Sequence, residues 1–282
     1  MVEVIVESHL SAVTFSCVLG ISAAARAGLN VCDAISQRLP SRKRYSITDV
    51  RGRGSYGVVL AGRTDEDAGV VAKLVNLSSA TGMNVLGEPW FVTDIKSFRR
   101  EIVMLHAVAL GAPGIFPEIL DACVVKGGAG VSFGFVLMRD VGTESLHAVL
   151  ASGRVGARRL MQVCAQLLKS LHASGFVHGD LHTGNAICEP PHVQFVDTSR
   201  TVYFGDASVD CKVAKLYDLT VLINSVDDIA RLDSMLLCSQ FLQEYYGSSS
   251  AGVAEVNDLL CTPEQMREKR EEFVRILEKT SL

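Results

Sequence analysis

No two of the eight cysteines stand in a C-x-x-C pair. That scatter argues against a zinc ribbon or a disulfide framework and fits reduced thiols in an intracellular protein, cytoplasmic or nuclear. Charge of one sign is also missing. With 27 basic and 31 acidic residues the formal net charge is −4, so no global basic field favours nucleic acid or an anionic membrane, and neither is expected as a partner. Internal repeats are absent. The longest apolar run, residues 10–25, stops at Arg26, short of a membrane span. Glu3 and Glu7 precede it where a signal peptide wants Lys or Arg, so the run reads first as a packed helix, with a signal or anchor as the alternative. Residues 1–44 are taken as a helical extension and linker, closed by Pro40 and the solvated cluster "RKR" at 42–44.

What is present is core. Hydrophobic residues make up 48% of the 282 and charged residues 21%, enough to fill one large domain or two lobes. From residue 45 the pattern is strand-like: "YSITDV", "GVVLAGR" and "VVAKLVNL" are apolar, β-branched runs bounded by turns, as in antiparallel strands. After a loop-like insertion, "DIKSFRREIVMLHAVAL" puts Phe98, Ile102, Leu105 and Ala109 at helical spacing. Two more strands follow, "ILDACVVK" and "VSFGFVLMRD". They are joined by "GGAG", which lacks the Lys-Ser or Lys-Thr of a phosphate cradle and reads as a hairpin turn.

The second half is helical. Leu160, Val163, Cys164, Leu167, Leu168 and Leu171 trace an amphipathic helix into "HGDLHTGN" at 178–185. Short strands "NAICE" and "HVQFVD" meet at Pro190 and Pro191, and "KVAKLYDLTVLINSV" reads as a buried helix. The final helix has Thr262 as cap, Pro263 in first position and Gln265 completing a capping box. Strands first and helices after imply an α+β protein of two lobes.

The polar octet 178–185 needs an explanation, because buried polar groups are costly unless paired or used. A metal reading notes that His178, Asp180 and His182 alternate and would share one side of an extended segment. No second ligand cluster supports it. A bland reading has the polar groups satisfying one another. A third is phosphoryl transfer, which needs a glycine loop over phosphates, a lysine, metal ligands and a carboxylate at the attacking hydroxyl.

Candidates for each occur in order. "GRGSYGVV" supplies Gly52, Gly54 and Gly57, then Val59. Such glycines let backbone amides approach an anion. The motif lies between strands and is followed some twenty residues on by Lys73, not an acid, which rejects a dinucleotide fold. Lys73 sits among Val71, Ala72 and Leu74 and needs a partner; Glu101 in "FRREIVML" is the best one. Of Asp180 and Asn185, five residues apart, one can meet the acceptor hydroxyl while the other turns toward Mg²⁺, and Asp197 at a strand end offers the metal a second carboxylate, or merely caps a turn. Asp218, inside an apolar helix, is read as bonding the backbone of the 178–185 loop from below.

With these pieces in hand, the chain resembles the eukaryotic protein-kinase-like superfamily over roughly residues 45–230, in "GRGSYGVV", "VVAK", Glu101, "FVLMRD", "LLKSLHASGFVHGDLHTGN", "FVDTS" and "YDLTVLINS". The resemblance implies a two-lobed protein-kinase-like fold. Residues 45–139 would be an antiparallel five-stranded N-lobe with one main helix, and 140–282 an abbreviated, mostly helical C-lobe. It implies ATP bound between the lobes with Mg²⁺, a Lys73–Glu101 pair, Asp180 as catalytic aspartate, and Asn185 and Asp197 on the metal. Met138 would be the gatekeeper, 139–141 the hinge with Arg139 and Val141 at its ends, and Val59 and Ala72 the adenine roof.

Departures from the family pattern narrow the expectation. Gly179 stands where protein kinases place an arginine, "DTS" replaces Asp-Phe-Gly, His182 replaces a lysine, and no Ala-Pro-Glu follows. "HGDLHTGN" is similar to the catalytic loop of antibiotic and small-metabolite phosphotransferases, and the short lobe to minimal or viral kinases. The leading expectation is an ATP-dependent phosphotransferase acting on protein Ser or Thr. The alternatives are a small-molecule kinase and a nucleotide-binding pseudokinase.

Overall fold

The computed structural model describes residues 45–53, 57–64, 66–77, 94–126, 132–153, 156–205, 208–230, 234–247 and 253–280. The helical extension expected at 1–44, Gly54, nearly all of the insertion before Asp94 and the "GGAG" turn lie outside the described residues. The fold is α+β, and the chain divides into two compact units. One comprises Met1–Val103 with Glu118–Asp140, the other Met104–Pro117 with Val141–Leu282. Residues 104–117, expected in the first lobe, therefore belong to the second unit.

In the first unit, β1 (Tyr45–Arg53), β2 (Gly57–Thr64), β3 (Gly69–Asn76), β4 (Ile119–Lys126) and β5 (Ser132–Arg139) form a five-stranded sheet in the order β1-β2-β3-β5-β4. Every neighbouring pair is antiparallel. The register pairs Val59 with Lys73 and Lys73 with Val136, so these three share a face. Leu60, Ala72 and Leu137 are paired on the opposite face and are fully buried.

Helix α1 (Ile95–Gly111) starts where Asp94 caps it. The Ser97 backbone N–H donates to Asp94 Oδ1 at 2.7 Å, and the Ser97 hydroxyl donates to Oδ2 at 2.9 Å. These bonds hold the Asp94 carboxyl below its usual range, the backbone bond contributing most. The buried stripe is Phe98, Ile102, Leu105 and Val108. Val108 takes the place expected of Ala109, which is exposed, because the last apolar step is three residues and not four.

The second unit holds β6 (Glu144–Ser145), α2 (Leu146–Ala151), α3 (Ala157–Ala173), β7 (Phe176–Val177), a 3-10 turn (Thr183–Asn185), β8 (Ala186–Glu189), β9 (His192–Phe195), β10 (Val202–Tyr203), α4 (Val209–Ala230), α5 (Ser234–Tyr246), α6 (Val253–Leu259) and α7 (Pro263–Thr280). Helices α5 and α6, which the sequence pattern had not singled out, lie between the two expected ones. The capping box of α7 forms as expected: the Thr262 N–H donates to Gln265 Oε1 at 2.8 Å, and the Gln265 N–H to Thr262 Oγ1 at 3.3 Å.

One apolar cluster positions the polar octet. Val177 before it, Val202 and Phe204 after it, Tyr217 and Val221 of α4, and Phe273 and Ile276 of α7 pack together, with Tyr217 and Phe273 stacked at 4.7 Å between ring centroids. Cys164, Cys188, Cys211 and Cys238 are buried free thiols, and burial raises Cys188 to about 11 and Cys238 to about 12. Among the described residues, no helix is long and apolar enough to cross a membrane.

Candidate functional site

In the first unit, Lys73 Nζ donates to Glu101 Oε1 at 2.7 Å, joining β3 to α1. Glu101 is 6% exposed, so this is a charge pair largely removed from water. The pairing expected from the sequence therefore forms. Around it, the sheet register corrects the expected adenine roof. Val59 shares the face of Lys73, but Ala72 points the other way, being one residue from Lys73 along an extended strand. Val71, paired with Met138, is the residue on the Lys73 face. Alternation counted back from Lys73 would have found it.

Gly57 cannot carry a side chain. A Cβ there would sit 2.5 Å from the Leu74 carbonyl oxygen, so β2 and β3 pack too closely for one. Gly52 lies opposite Val59 in β1 with ordinary room around it. Met138 is half-buried, and the Arg139 guanidinium turns to Glu118 at 3.0 Å. Asp140 forms an ion pair with Arg51 and, through its N–H, bonds the Gly69 carbonyl at 3.0 Å. Val141, half-buried, opens the second unit.

In that unit the octet is suspended from Asp218. Its Oδ2 accepts from the His178 backbone N–H at 2.7 Å and faces His172 Nε2 at 3.0 Å, while Oδ1 accepts from the Gly179 N–H at 2.7 Å. Asp218 is fully buried, so these donors replace its hydration. The sequence reading of Asp218 as a structural acceptor under the loop is what the geometry has.

His178 is the loop's second anchor. Its Nε2 bonds the Val196 carbonyl at 3.0 Å and its Nδ1 faces the Asp180 N–H at 3.3 Å, a pattern met by a proton on Nε2. Burial depresses its basicity, while the carboxylates of Asp218, Asp197 and Asp180 oppose the shift. Phe116 stacks on the ring at 5.5 Å and Phe195 meets it edge-on at 6.0 Å. Both ring nitrogens are thus committed, which removes His178 from any metal reading. His182 is committed too, since its Nδ1 accepts from the Gly184 N–H at 3.0 Å and caps the 3-10 turn. Among the described residues no three His, Cys, Asp or Glu converge as a metal site.

Position 179 has no room for a side chain. Its φ is +80°, and a Cβ would overlap the Arg200 carbonyl oxygen and lie 2.6 Å from the Phe273 ring. Helix α7 therefore closes over the position next to Asp180. Thr198 is buried, and Phe116 and Phe195 supply the aromatic packing at His178.

Asn185 and Asp197 are held close by backbone pairing, the Val196 N–H donating to the Asn185 carbonyl at 2.9 Å. The Asn185 amide NH₂ donates to the Asp180 carbonyl at 2.9 Å, which fixes the amide and leaves Oδ1 as the atom that could serve a metal. Asp197 adopts a φ of +66°, a left-handed conformation that Asp tolerates, and its Oδ1 accepts from the Ser199 N–H at 3.1 Å. An amide oxygen and one carboxylate suit Mg²⁺ that takes its remaining ligands from phosphate and water.

Sequence reasoning missed the surroundings of Asp180. Arg200 Nε lies 3.8 Å from Asp180 Oδ2. A cavity of about 310 Å³ is lined by Asp180, Tyr217, Val221, Pro263, Met266, Arg267 and Arg270. Burial, and then the Asp180 carboxylate, raises the Tyr217 hydroxyl above the usual phenol range, while Arg200 and Arg270 pull it back. The adjacent charges "MREKR" on a capped amphipathic helix were the available signal, but only the fold brings them to Asp180. No protein-family model matches the chain, and no curated protein matches it in sequence.

Proposed function

We propose that the protein is an ATP-dependent phosphotransferase that moves the γ-phosphoryl group to a hydroxyl, with a two-lobed kinase-like fold and Mg²⁺ as cofactor. The observation that carries the reading is the joint presence of the Lys73–Glu101 pair and of an octet whose backbone hangs from Asp218. The first presents a fixed ammonium for phosphates; the second holds Asp180 and Asn185 as oxygen donors, with Asp197 brought beside them by the Val196–Asn185 backbone bond. Phosphoryl transfer is catalysed by positioning and charge, and this polar set is suited to both.

In this reading Lys73 binds the α- and β-phosphates, and the glycine motif of Gly52, Gly54 and Gly57 lets backbone amides approach them. Val59, Val71 and Met138 face the adenine, with Arg139 to Val141 offering backbone groups. Asn185 and Asp197 hold Mg²⁺, which supplies charge neutralisation on the phosphates when bound. Asp180 orients the acceptor hydroxyl and receives its proton.

The acceptor separates two forms of the proposal. A protein Ser or Thr hydroxyl is supported by the character of "GRGSYGVV" and "VVAK". A small-molecule hydroxyl is favoured by the cavity at Asp180 walled by α7. A pseudokinase reading predicts the loss of a chemical residue, yet Lys73, Glu101, Asp180, Asn185 and Asp197 are all present.

The test is labelled phosphate transfer from ATP with mass spectrometry of the products. Lys73→Met and Asp197→Asn are expected to reduce transfer to background while circular dichroism shows the fold retained. Turnover unchanged in both folded variants refutes the assignment.

A further inference from the structure

We infer that the acceptor is a small hydroxyl compound carrying a phosphate or carboxylate group, bound in the cavity beside Asp180 with its anion on Arg267 and Arg270. The inference rests on the phosphotransferase reading above and names its second substrate.

Size comes first. The cavity, about 310 Å³, stands at the lower end of the range for small-ligand sites, about 300–1,000 Å³, and suits a compound the size of a sugar phosphate or hydroxy acid. The Tyr217 ring, Val221, Pro263 and Met266 supply an apolar wall, and Asp180 stands in the same lining. A hydroxyl in this cavity is therefore within the reach of the proposed proton acceptor.

Charge comes second. Arg267 and Arg270 are the two cations of the lining, against the single carboxylate of Asp180. Helix α7 places Glu264 and Glu271 one turn on either side of Arg267, yet neither arginine is held in an ion pair among the described residues. Beside Asp180, Arg200 Nη1 is buried with no hydrogen-bond partner. Such a guanidinium nitrogen can donate to water or to a ligand oxygen brought beside Asp180. Guanidinium groups match the planar, bidentate geometry of carboxylate and phosphate. A neutral or cationic acceptor would leave Arg267 and Arg270 unanswered.

The chemistry balances. The acceptor hydroxyl oxygen forms a bond to the γ-phosphorus of ATP while the bond from that phosphorus to the β,γ-bridging oxygen breaks. ADP leaves with the electron pair, the hydroxyl proton passes to Asp180 and then to solvent, and the products are a phosphate ester and ADP.

The experiment uses the full chain with labelled ATP and four acceptors: glycerol 3-phosphate, glycerate, glycerol and a serine peptide. ADP binding is measured in parallel by calorimetry. Transfer is expected to the two anionic compounds, with Arg267→Gln/Arg270→Gln raising their KM about tenfold or more and leaving the ADP dissociation constant unchanged. Both arginines are exposed, so the double variant is expected to fold. Preference between glycerol 3-phosphate and glycerate distinguishes a phosphate from a carboxylate. Equal or better transfer to glycerol or the peptide, or a KM that ignores the double variant, overturns the inference and leaves the phosphotransferase reading standing. Absence of ADP binding together with absence of transfer to every acceptor overturns both.

Discussion

Replacing Gly179 by alanine adds one methyl group, and the structure says where it goes. At a φ of +80° an L-residue strains its backbone by about 1–2 kcal/mol. The new Cβ would also overlap the Arg200 carbonyl oxygen and stand 2.6 Å from the Phe273 ring. Relieving such overpacking in a closed core costs about 1–3 kcal/mol. Together these terms predict a loss of about 2–5 kcal/mol, read as a fall in melting temperature of about 4–20 °C for a unit of this size. Urea unfolding followed by circular dichroism provides the assay, with Phe273→Ala and the double variant completing a cycle. The Phe273 truncation alone removes a buried ring and costs about 3–5 kcal/mol. In the double variant one of the two obstructions is gone, so the combined loss should fall short of the sum by about 1 kcal/mol or more. Unaltered stability in Gly179→Ala, within about 0.5 kcal/mol, would refute the packing argument. Strict additivity would show that α7 does not press on the loop.

Two further outcomes follow from the loop's anchors. Asp218→Asn puts an NH₂ among three donors, so one buried N–H loses its acceptor; a loss of about 3 kcal/mol or more is expected, with faster hydrogen exchange at the His178 and Gly179 amides. Exchange rates equal to wild type would contradict that role. For His178 the folded state resists protonation, so below about pH 6.5 the unfolded chain takes up a proton that the folded chain refuses. Stability is then fully present above that pH and falls on acidification, by up to about 1.4 kcal/mol per pH unit from this group. His178→Gln should flatten the profile between pH 6.5 and 5, and parallel profiles for the two proteins would rule the residue out as the source.

The five strands, α1 and the capped α7 could be read in advance because each is local: alternation, a helical stripe, a cap three residues from its partner. Lys73–Glu101 and Asp218 under the loop could be read because a charge inside an apolar pattern must be answered. Ala72 was carried over from the resemblance without counting strand parity, which puts its neighbour Val71 on the Lys73 face. Ala109 misled because a helical turn is counted as three or four residues and only packing decides. Helices α5 and α6 carried no feature that the pattern reading weighed.

The surroundings of Asp180 were illegible for a different reason. Arg267, Arg270 and Phe273 come from the last helix, and on the sequence they look like a solvated charge run with one apolar residue. Their meaning depends on α7 stacking Phe273 on Tyr217 one residue before Asp218, the anchor of the loop. That stack sets two things at once. It fills the space a side chain at 179 would need, and it brings the charged turn of α7 to the cavity that contains Asp180. The glycine at 179 and the arginines at the cavity beside Asp180 are thus consequences of one helix packing. On the phosphotransferase proposal, Asp180 would meet its acceptor in a small charged cavity walled in part by α7, an arrangement better matched to a compact ligand than to an extended peptide.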